Sequence, residues 1–527
     1  MKRNSLTTAL LAGLAGAAGL ASTANAVNVN PDGLGQVLIY PYYTVNKGNQ
    51  TLISVVNTTN RVKAVKVRFV EGRNSKEVLD FNLYMSPFDV WTSAVFATGT
   101  TGPANLITRD TSCTVPILPG SPSGTNRTPQ AGTSQPFLNY QYTGTNRDFP
   151  TSSPIAAELG SLERTREGHL EMIEMGLLQT GTGAAQLAEE ATHGASGFPG
   201  NCNAINAAWV PGGIWTVPPT LGATNIDVPA GGLYGNGAVI DVANGTMLAY
   251  AADAIDGFYT DAAAPGALHA DPGTTDPDLL DADNGANVTS FVFSQNGAAV
   301  LTDTFLVNLL TPDAVSVVFM ADTIYNEYNT DAALGASSEW VITFPTKRYY
   351  VDRTTNAILP FTDPFQDNGA ACEVIDIRYW DREEASFVGS PGTVTVSPRP
   401  PTAPAVGNVL CWEANVLTFN QAAVANTSPT SATSSAILGA RYAQNLFTLS
   451  AGGSTTNFAA GHMRMTFDNP LASFPGRQNF LQTATRTYLG LPATGFWALN
   501  VVNASAQPGL LANYSGAFHH RASRLVS

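Results

Sequence analysis

Charge is what this 527-residue sequence has least of: Asp, Glu, Lys and Arg make up 13% of it, about half the usual share for a soluble domain. Basic residues are scarcest, since none occurs between Arg166 and Lys347, a stretch that holds about twenty Asp and Glu. The net charge of −14 is concentrated there. Such a segment repels polyanions, which argues against nucleic acid as a partner. Past the N-terminal segment no run reaches the roughly eighteen apolar residues of a membrane helix. Residues 301–320 come nearest, but Asp303, Asn308, Pro312 and Asp313 interrupt them, so no transmembrane helix is expected. The six His include no i,i+4 pair. G-x-S-x-G, H-E-x-x-H, a P-loop and a strand-borne G-x-G-x-x-G are also missing, so no motif supports hydrolase, zinc-protease or nucleotide chemistry. A fixed-period repeat is lacking too, which disfavours solenoids and propellers.

The first residues supply what the rest lacks. Lys2 and Arg3 precede an apolar run of Ala, Leu and Gly, and Ala24-Asn25-Ala26 offers small residues for a signal peptidase. Residues 1–26 therefore read as a signal peptide cleaved after Ala26. No Cys follows the run, so no lipoprotein anchor is expected there. Four cysteines remain after export, Cys113, Cys202, Cys372 and Cys411, without a C-x-x-C. In an oxidising compartment they read as two disulfides with three possible connectivities. Proximity along the chain favours Cys113–Cys202 and Cys372–Cys411.

Hydrophobic residues at 44% suffice for cores, and 48 Gly and 33 Pro with abundant Thr, Ser and Asn suit short strands and many turns. The clearest pattern runs from Gln36 to Trp91. Val37-Leu38-Ile39-Tyr40 and Leu52-Ile53-Ser54-Val55-Val56 read as strands. Val65, Val67 and Phe69 alternate with Lys66 and Arg68, as in a strand with one wet face. Leu79, Phe81 and Leu83 alternate with Val78, Asp80, Asn82 and Tyr84. Strands at about twelve-residue spacing predict a mainly-β protein, with antiparallel immunoglobulin-like sandwiches, long loops and a few short helices. The expected organisation is an N-terminal sandwich with strands at 27–100 and sheets open to completion by later strands, an acidic loop-rich β region at 101–345 and a C-terminal β region at 346–527. Short helices are expected at 186–192, 203–209 and 314–328, a hairpin turns at Asn244-Gly245, and 391–404 forms a Pro-rich excursion.

Candidate chemistry is sparse. Asp276, Asp278, Asp281 and Asp283 fall within eight residues, and their hard oxygens suit Ca²⁺, which takes six to eight such ligands. Gly285 breaks the EF-hand spacing, so the alternative is a solvated acidic loop. Calcium is the one cofactor the sequence suggests. Trp380 and Trp412, on strands flanking the Pro-rich excursion, are candidate sugar-stacking residues, with buried sandwich aromatics as the alternative. Glu167, Glu171 and Glu174, and separately Asp381, Glu383 and Glu384, are candidate paired carboxylates. His169 beside Glu171 is the histidine to inspect. No catalytic residue is assigned.

Two strings, Val78-Leu79-Asp80-Phe81-Asn82-Leu83 with Ser86-Pro87-Phe88-Asp89-Val90-Trp91, and Val341-Ile342-Thr343-Phe344-Pro345-Thr346-Lys347-Arg348, resemble exported, uncharacterised cell-surface proteins of proteobacteria. The resemblance implies the envelope or exterior of a Gram-negative cell and transfers no catalytic residue. The expected function is a non-enzymatic surface protein, structural or adhesive, whose partners are itself or other envelope components. The alternatives are a secreted carbohydrate-binding or carbohydrate-active protein, and an outer-membrane β-barrel. Location in the periplasm is the alternative to the cell surface or exterior.

Overall fold

The computed structural model describes residues 26–119, 134–181, 187–218, 221–285, 287–293, 300–306, 311–351, 357–367, 369–384, 386–388, 408–420, 435–441, 444–448, 459–467, 478–507 and 510–527. Residues 1–25 of the expected signal peptide and the 391–404 excursion lie outside them. Two antiparallel β-sandwiches follow one another in the chain, so the mainly-β sandwich class read from the sequence is the class observed.

The first sandwich stacks an inner and an outer sheet. The inner sheet runs Asn28–Val29, Asp253–Asp256, Val37–Thr44, Glu167–Leu178, Lys63–Glu71, Glu77–Met85, Cys113–Val115, with Ile226–Asp227 added beside Glu167–Leu178. The outer sheet runs Thr246–Ala251, Leu233–Asp241, Asn49–Asn57, Val90–Ala97, Ala104–Ile107, Gln135–Pro136. Period-two alternation sorts the side chains. Leu38, Tyr40, Val65, Val67, Phe69, Phe81, Leu83, Leu170 and Met172 face the outer sheet's Ile53, Val55, Trp91 and Val95. The inner sheet's other face carries Val37, Ile39, Ala64, Tyr84, Ile173 and Met175. The helices Leu187–Ala191, Cys202–Ala208 and Thr311–Phe319, with the hairpin Val288–Phe293/Val300–Phe305, cover that face. Thus the inner sheet is covered on both sides.

The second sandwich pairs the sheet Ser386–Val388, Glu373–Asp381, Ala460–Thr466, Thr323–Asn329, Arg521–Ser523 with the sheet Gln444–Thr448, Ala414–Asn420, Ala336–Thr343, Thr494–Gln507, Leu510–His519. Trp340, Ile342, Ile375, Ile377, Leu417 and Met463 are in its core. None of the described sheets closes on itself, and no described helix is long and apolar enough to cross a membrane.

The two sandwiches are joined tightly. Val341, Val416, Phe496 and Ala498 belong to the first sandwich's core cluster, and Tyr250 stacks on Phe496 at 4.9 Å. The Glu71–Glu77 turn adds backbone bonds from Ala414 N–H to Gly72 C=O (2.9 Å) and from Glu413 N–H to Arg73 C=O (3.1 Å).

Strands later than residue 100 complete the N-terminal sandwich: 167–178 and 253–256 join its inner sheet, and 233–241 and 246–251 its outer sheet. Several expectations shift. Ala336–Thr343, expected in the middle region, is central to a sheet of the second sandwich. The helix expected at 314–328 ends at Phe319; beyond Met320 the chain pairs with Ala460–Thr466 and Arg521–Ser523 instead. Lys66 and Arg68 are fully buried rather than wet. Segment 270–274 lies over them: Lys66 Nζ pairs with Asp80 at 2.6 Å and donates to Thr274 C=O at 2.8 Å, while Asn82 Nδ2 donates to Ala270 C=O.

Candidate functional site

The scarce charges are spent inside. Cross-strand register sets Arg68 between Glu171 and Asp80, and its guanidinium reaches Glu171 Oε2 at 2.7 Å and Glu77 Oε2 at 3.0 Å. Burial alone would lift Glu171, but Arg68 and His169 hold it below the usual carboxylate range. His169 lies 3.5 Å from Glu171 Oε1. Glu174 points elsewhere: it pairs with Lys63 Nζ at 2.6 Å, both fully buried, and accepts the amides of Ala230 and Gly231. Burial pushes its carboxyl up. Glu167 accepts Tyr42 OH and Arg441 N–H. The three clustered glutamates therefore serve three separate partners.

A second set locks the joint between the sandwiches. Arg164 forks onto Glu71 (2.8 and 3.0 Å) and reaches Asp148 at 2.8 Å. Ser75 Oγ donates to Glu413 Oε2 at 2.8 Å, and Lys347 Nζ donates to Ala371 C=O at 2.6 Å. Burial drives the Glu413 carboxyl up to about 8 and holds the Lys347 ammonium down. Buried pairs of this kind gain little net stability over apolar packing, yet are costly to break singly.

The acidic loop contributes to the same interior. Asp278 is buried, its Oδ2 3.4 Å from Arg348 and its Oδ1 accepting Leu280 N–H. Asp281 Oδ2 accepts Asp278 N–H, and burial raises Asp281 to about 6. Asp283 Oδ1 accepts Gly285 N–H, and Asp276 is exposed. Among the described residues no three His, Cys, Asp or Glu side chains group as metal ligands. Asp271 and Asp278 instead sit near Lys66 and Arg68, so the acidic middle of the chain covers a basic stripe of its N-terminal part.

Trp412 is 1% exposed and lies under the Arg73 guanidinium at 4.6 Å, so it offers no face to a sugar. Trp380 is half-buried and stacks on His462 at 4.7 Å. Asp381 is buried, whereas Glu383 and Glu384 are exposed. Both favoured disulfides are formed: Cys113–Cys202 ties a strand of the inner sheet to the helix Cys202–Ala208, and Cys372–Cys411 packs against Trp412.

Two histidine clusters escaped the sequence reading because their members are far apart in the chain. His193 Nδ1 is 2.7 Å from Ser86 Oγ and 3.8 Å from Asp89 Oδ2, while its Nε2 is 2.8 Å from Thr111 Oγ1. The hydroxyl at Nε2 pairs a nucleophile with a base in outline, while Nδ1 is bonded to the Ser86 hydroxyl and the Asp89 carboxylate lies beyond hydrogen-bond reach. His269 is enclosed by Tyr84, Trp209 and Trp215. Its Nε2 is 2.9 Å from Tyr84 OH and its Nδ1 is 2.8 Å from Gly222 C=O. Burial lowers its pKa to about 4, which keeps it neutral.

The solvent side of the outer sheet exposes several large apolar side chains. Leu52, Val90, Tyr234 and Met247 are 38%, 48%, 38% and 54% exposed. A shallow groove of about 560 Å³ crosses it between Leu52, Ala94, Ile107, Ala238 and Met247, and Arg109 is the one charged residue among its described lining.

Fold and cysteines together define a disulfide-bonded double β-sandwich, suited to an oxidising compartment, periplasmic or extracellular. Comparison with protein-family models, curated proteins and solved structures gives no match.

Proposed function

We propose that this chain is an exported structural protein of the Gram-negative cell surface that assembles with copies of itself through the outer sheet's solvent face. The carrying observation is that face: apolar, almost uncharged, and set in a chain of net charge −14. Copies of this net charge repel at long range, and a neutral apolar patch is where they approach without adding to that cost. The resemblance to exported surface proteins and the disulfides agree with the location.

Protease shaving and fractionation of native cells, with electron microscopy of the released material, test the placement. Sedimentation of the purified chain beside Leu52→Glu/Met247→Glu tests the contact. The expected result is a surface-accessible multimer that the double variant dissociates with its near-UV circular dichroism intact. A monomer at all concentrations, or a variant that assembles like wild type, refutes the reading.

One observation favours a second reading, a secreted hydrolase: the Thr111–His193 geometry. Turnover of activated esters that is lost in both Thr111→Val and His193→Ala would select it. Absence of turnover removes it.

A further inference from the structure

A concavity of about 580 Å³ opens where the sandwiches meet, between the turn following Val37–Thr44, the turn following Val90–Ala97 and segment 435–441. Asn46, Lys47, Gly99, Thr100, Arg166 and Arg441 are in its wall. Three cations thus converge in a chain with 26 Lys and Arg in total, and no carboxylate is among the described lining. The nearest acids are turned to other partners. Glu163 Oε1 accepts Gly102 N–H at 2.9 Å, and Glu167 accepts Tyr42 OH at 2.7 Å and Arg441 N–H at 3.0 Å.

The wall is built rather than incidental. Arg166, 5% exposed, is pinned at all three nitrogens: its Nε donates to Asn46 Oδ1 at 3.0 Å, one terminal nitrogen to Gly99 C=O and Gly102 C=O at 3.1 and 3.3 Å, and the other to Val45 C=O at 3.4 Å. Asn46 is 6% exposed, and its Nδ2 has no acceptor among the described residues. Lys47 stands at φ 58°, a left-handed conformation that non-glycine residues adopt at some cost, and its ammonium donates to Ala436 C=O. Burial and the neighbouring Arg441 charge outweigh the carboxylates of Glu163 and Glu167 and hold Arg166 below its ordinary range. Two guanidiniums line one space with no carboxylate among its described lining, an arrangement that a bound anion relieves. The forked donors of arginine match oxyanions in particular, and the volume falls in the range of small-molecule sites.

We propose that this pocket binds the oxyanion group, phosphate or carboxylate, of a small ligand, with Arg441, Lys47 and Arg166 as its cationic contacts. The site is distinct from the outer-sheet face, so it stands whether or not the chain self-assembles.

The test is isothermal titration of the full exported chain with inorganic phosphate and, separately, with a hexuronate at low ionic strength. Wild type is compared with Arg441→Ala and Lys47→Ala. Saturable one-site binding of at least one probe is expected, weakened about tenfold or more in Arg441→Ala. Phosphate alone binding identifies a phosphate-bearing ligand, the uronate alone a carboxylate sugar, and both a general oxyanion site. Failure of both probes to saturate by about 10 mM overturns the proposal. So does wild-type affinity in both variants with circular dichroism unchanged.

Discussion

Replacing Arg164 by Met isolates what the buried charges contribute. Arg164 is 2% exposed and Glu71 fully buried. The guanidinium also reaches Asp148, Asn74 Oδ1 and Leu159 C=O, and lies 4.1 Å from the Tyr142 ring. Its removal leaves Glu71 with the amides of Arg73, Asn74 and Lys76 but no cation. Loss of one partner of a buried pair costs about 3–5 kcal/mol. The effect depends on pH. In the wild type burial would raise Glu71, but Arg164 and the amides hold it below its ordinary value. Its share of stability is therefore present above about pH 4.5 and lost as pH falls through the lowered folded value. Without Arg164 burial dominates, the folded pKa rises above the unfolded one, and the variant loses stability as pH rises. The gap between the two proteins is then widest at neutral pH and narrows towards pH 4. Urea unfolding followed by near-UV circular dichroism at pH 7 and pH 4 measures it. A deficit below about 1 kcal/mol at pH 7, or one equal at both pH values, refutes the reasoning. Arg164→Lys restores the charge but not the fork, and is expected to recover less than half the loss.

Other outcomes follow from the same interior. Glu413, held near 8, makes the wild type lose stability as pH climbs from about 4.5 through 8; Glu413→Gln keeps an acceptor for Ser75 and should flatten that slope in urea titrations. His269, held near 4, contributes stability that is complete above about pH 6.5 and is lost, by about 3 kcal/mol, as pH falls to 4. His269→Gln should therefore show weaker acid destabilisation over that interval. The disulfides span 89 and 39 residues; in the chain-entropy model, Cys113→Ser/Cys202→Ser costs about 4–5 kcal/mol and Cys372→Ser/Cys411→Ser about 4. Equal or reversed losses in thermal unfolding would count against that model here.

Local pattern carried the strands around Val37, Leu52, Val65 and Leu79, the hairpin at Asn244-Gly245, the helices near Leu187 and Cys202, and the cysteine pairing. The strands, hairpin and helices depend on residues close in sequence, where period and turn chemistry act, whereas the cysteine pairing followed from an even count in which the nearer partners join. Burial of Lys66 and Arg68 was illegible because alternation shows only that two faces differ, not what lies over the polar one. The cover comes from residues 270–274 at Lys66 and from Asp278 and Tyr349 near Arg68, some two hundred positions or more later. The helix expected through Tyr328 failed for a related reason: Ile324-Tyr325-Asn326 takes its conformation from strands at 460–466 and 521–523. The pocket at Asn46, Arg166 and Arg441 draws on three distant segments. In the sequence its basic members were only part of the sparse charge.

The order of strands in the inner sheet sets the timetable by which the protein can form. Synthesis delivers the chain N-terminus first, yet Val37–Thr44 hydrogen-bonds within its sheet only to Glu167–Leu178 and Asp253–Asp256. A strand of eight residues, every one buried in the finished protein, must therefore wait for more than a hundred further residues before either flank is paired. During that interval it is an open, apolar edge of the kind that recruits other chains. Safe passage of this segment, by a holding chaperone or by provisional packing against the outer sheet, is a requirement written into the topology.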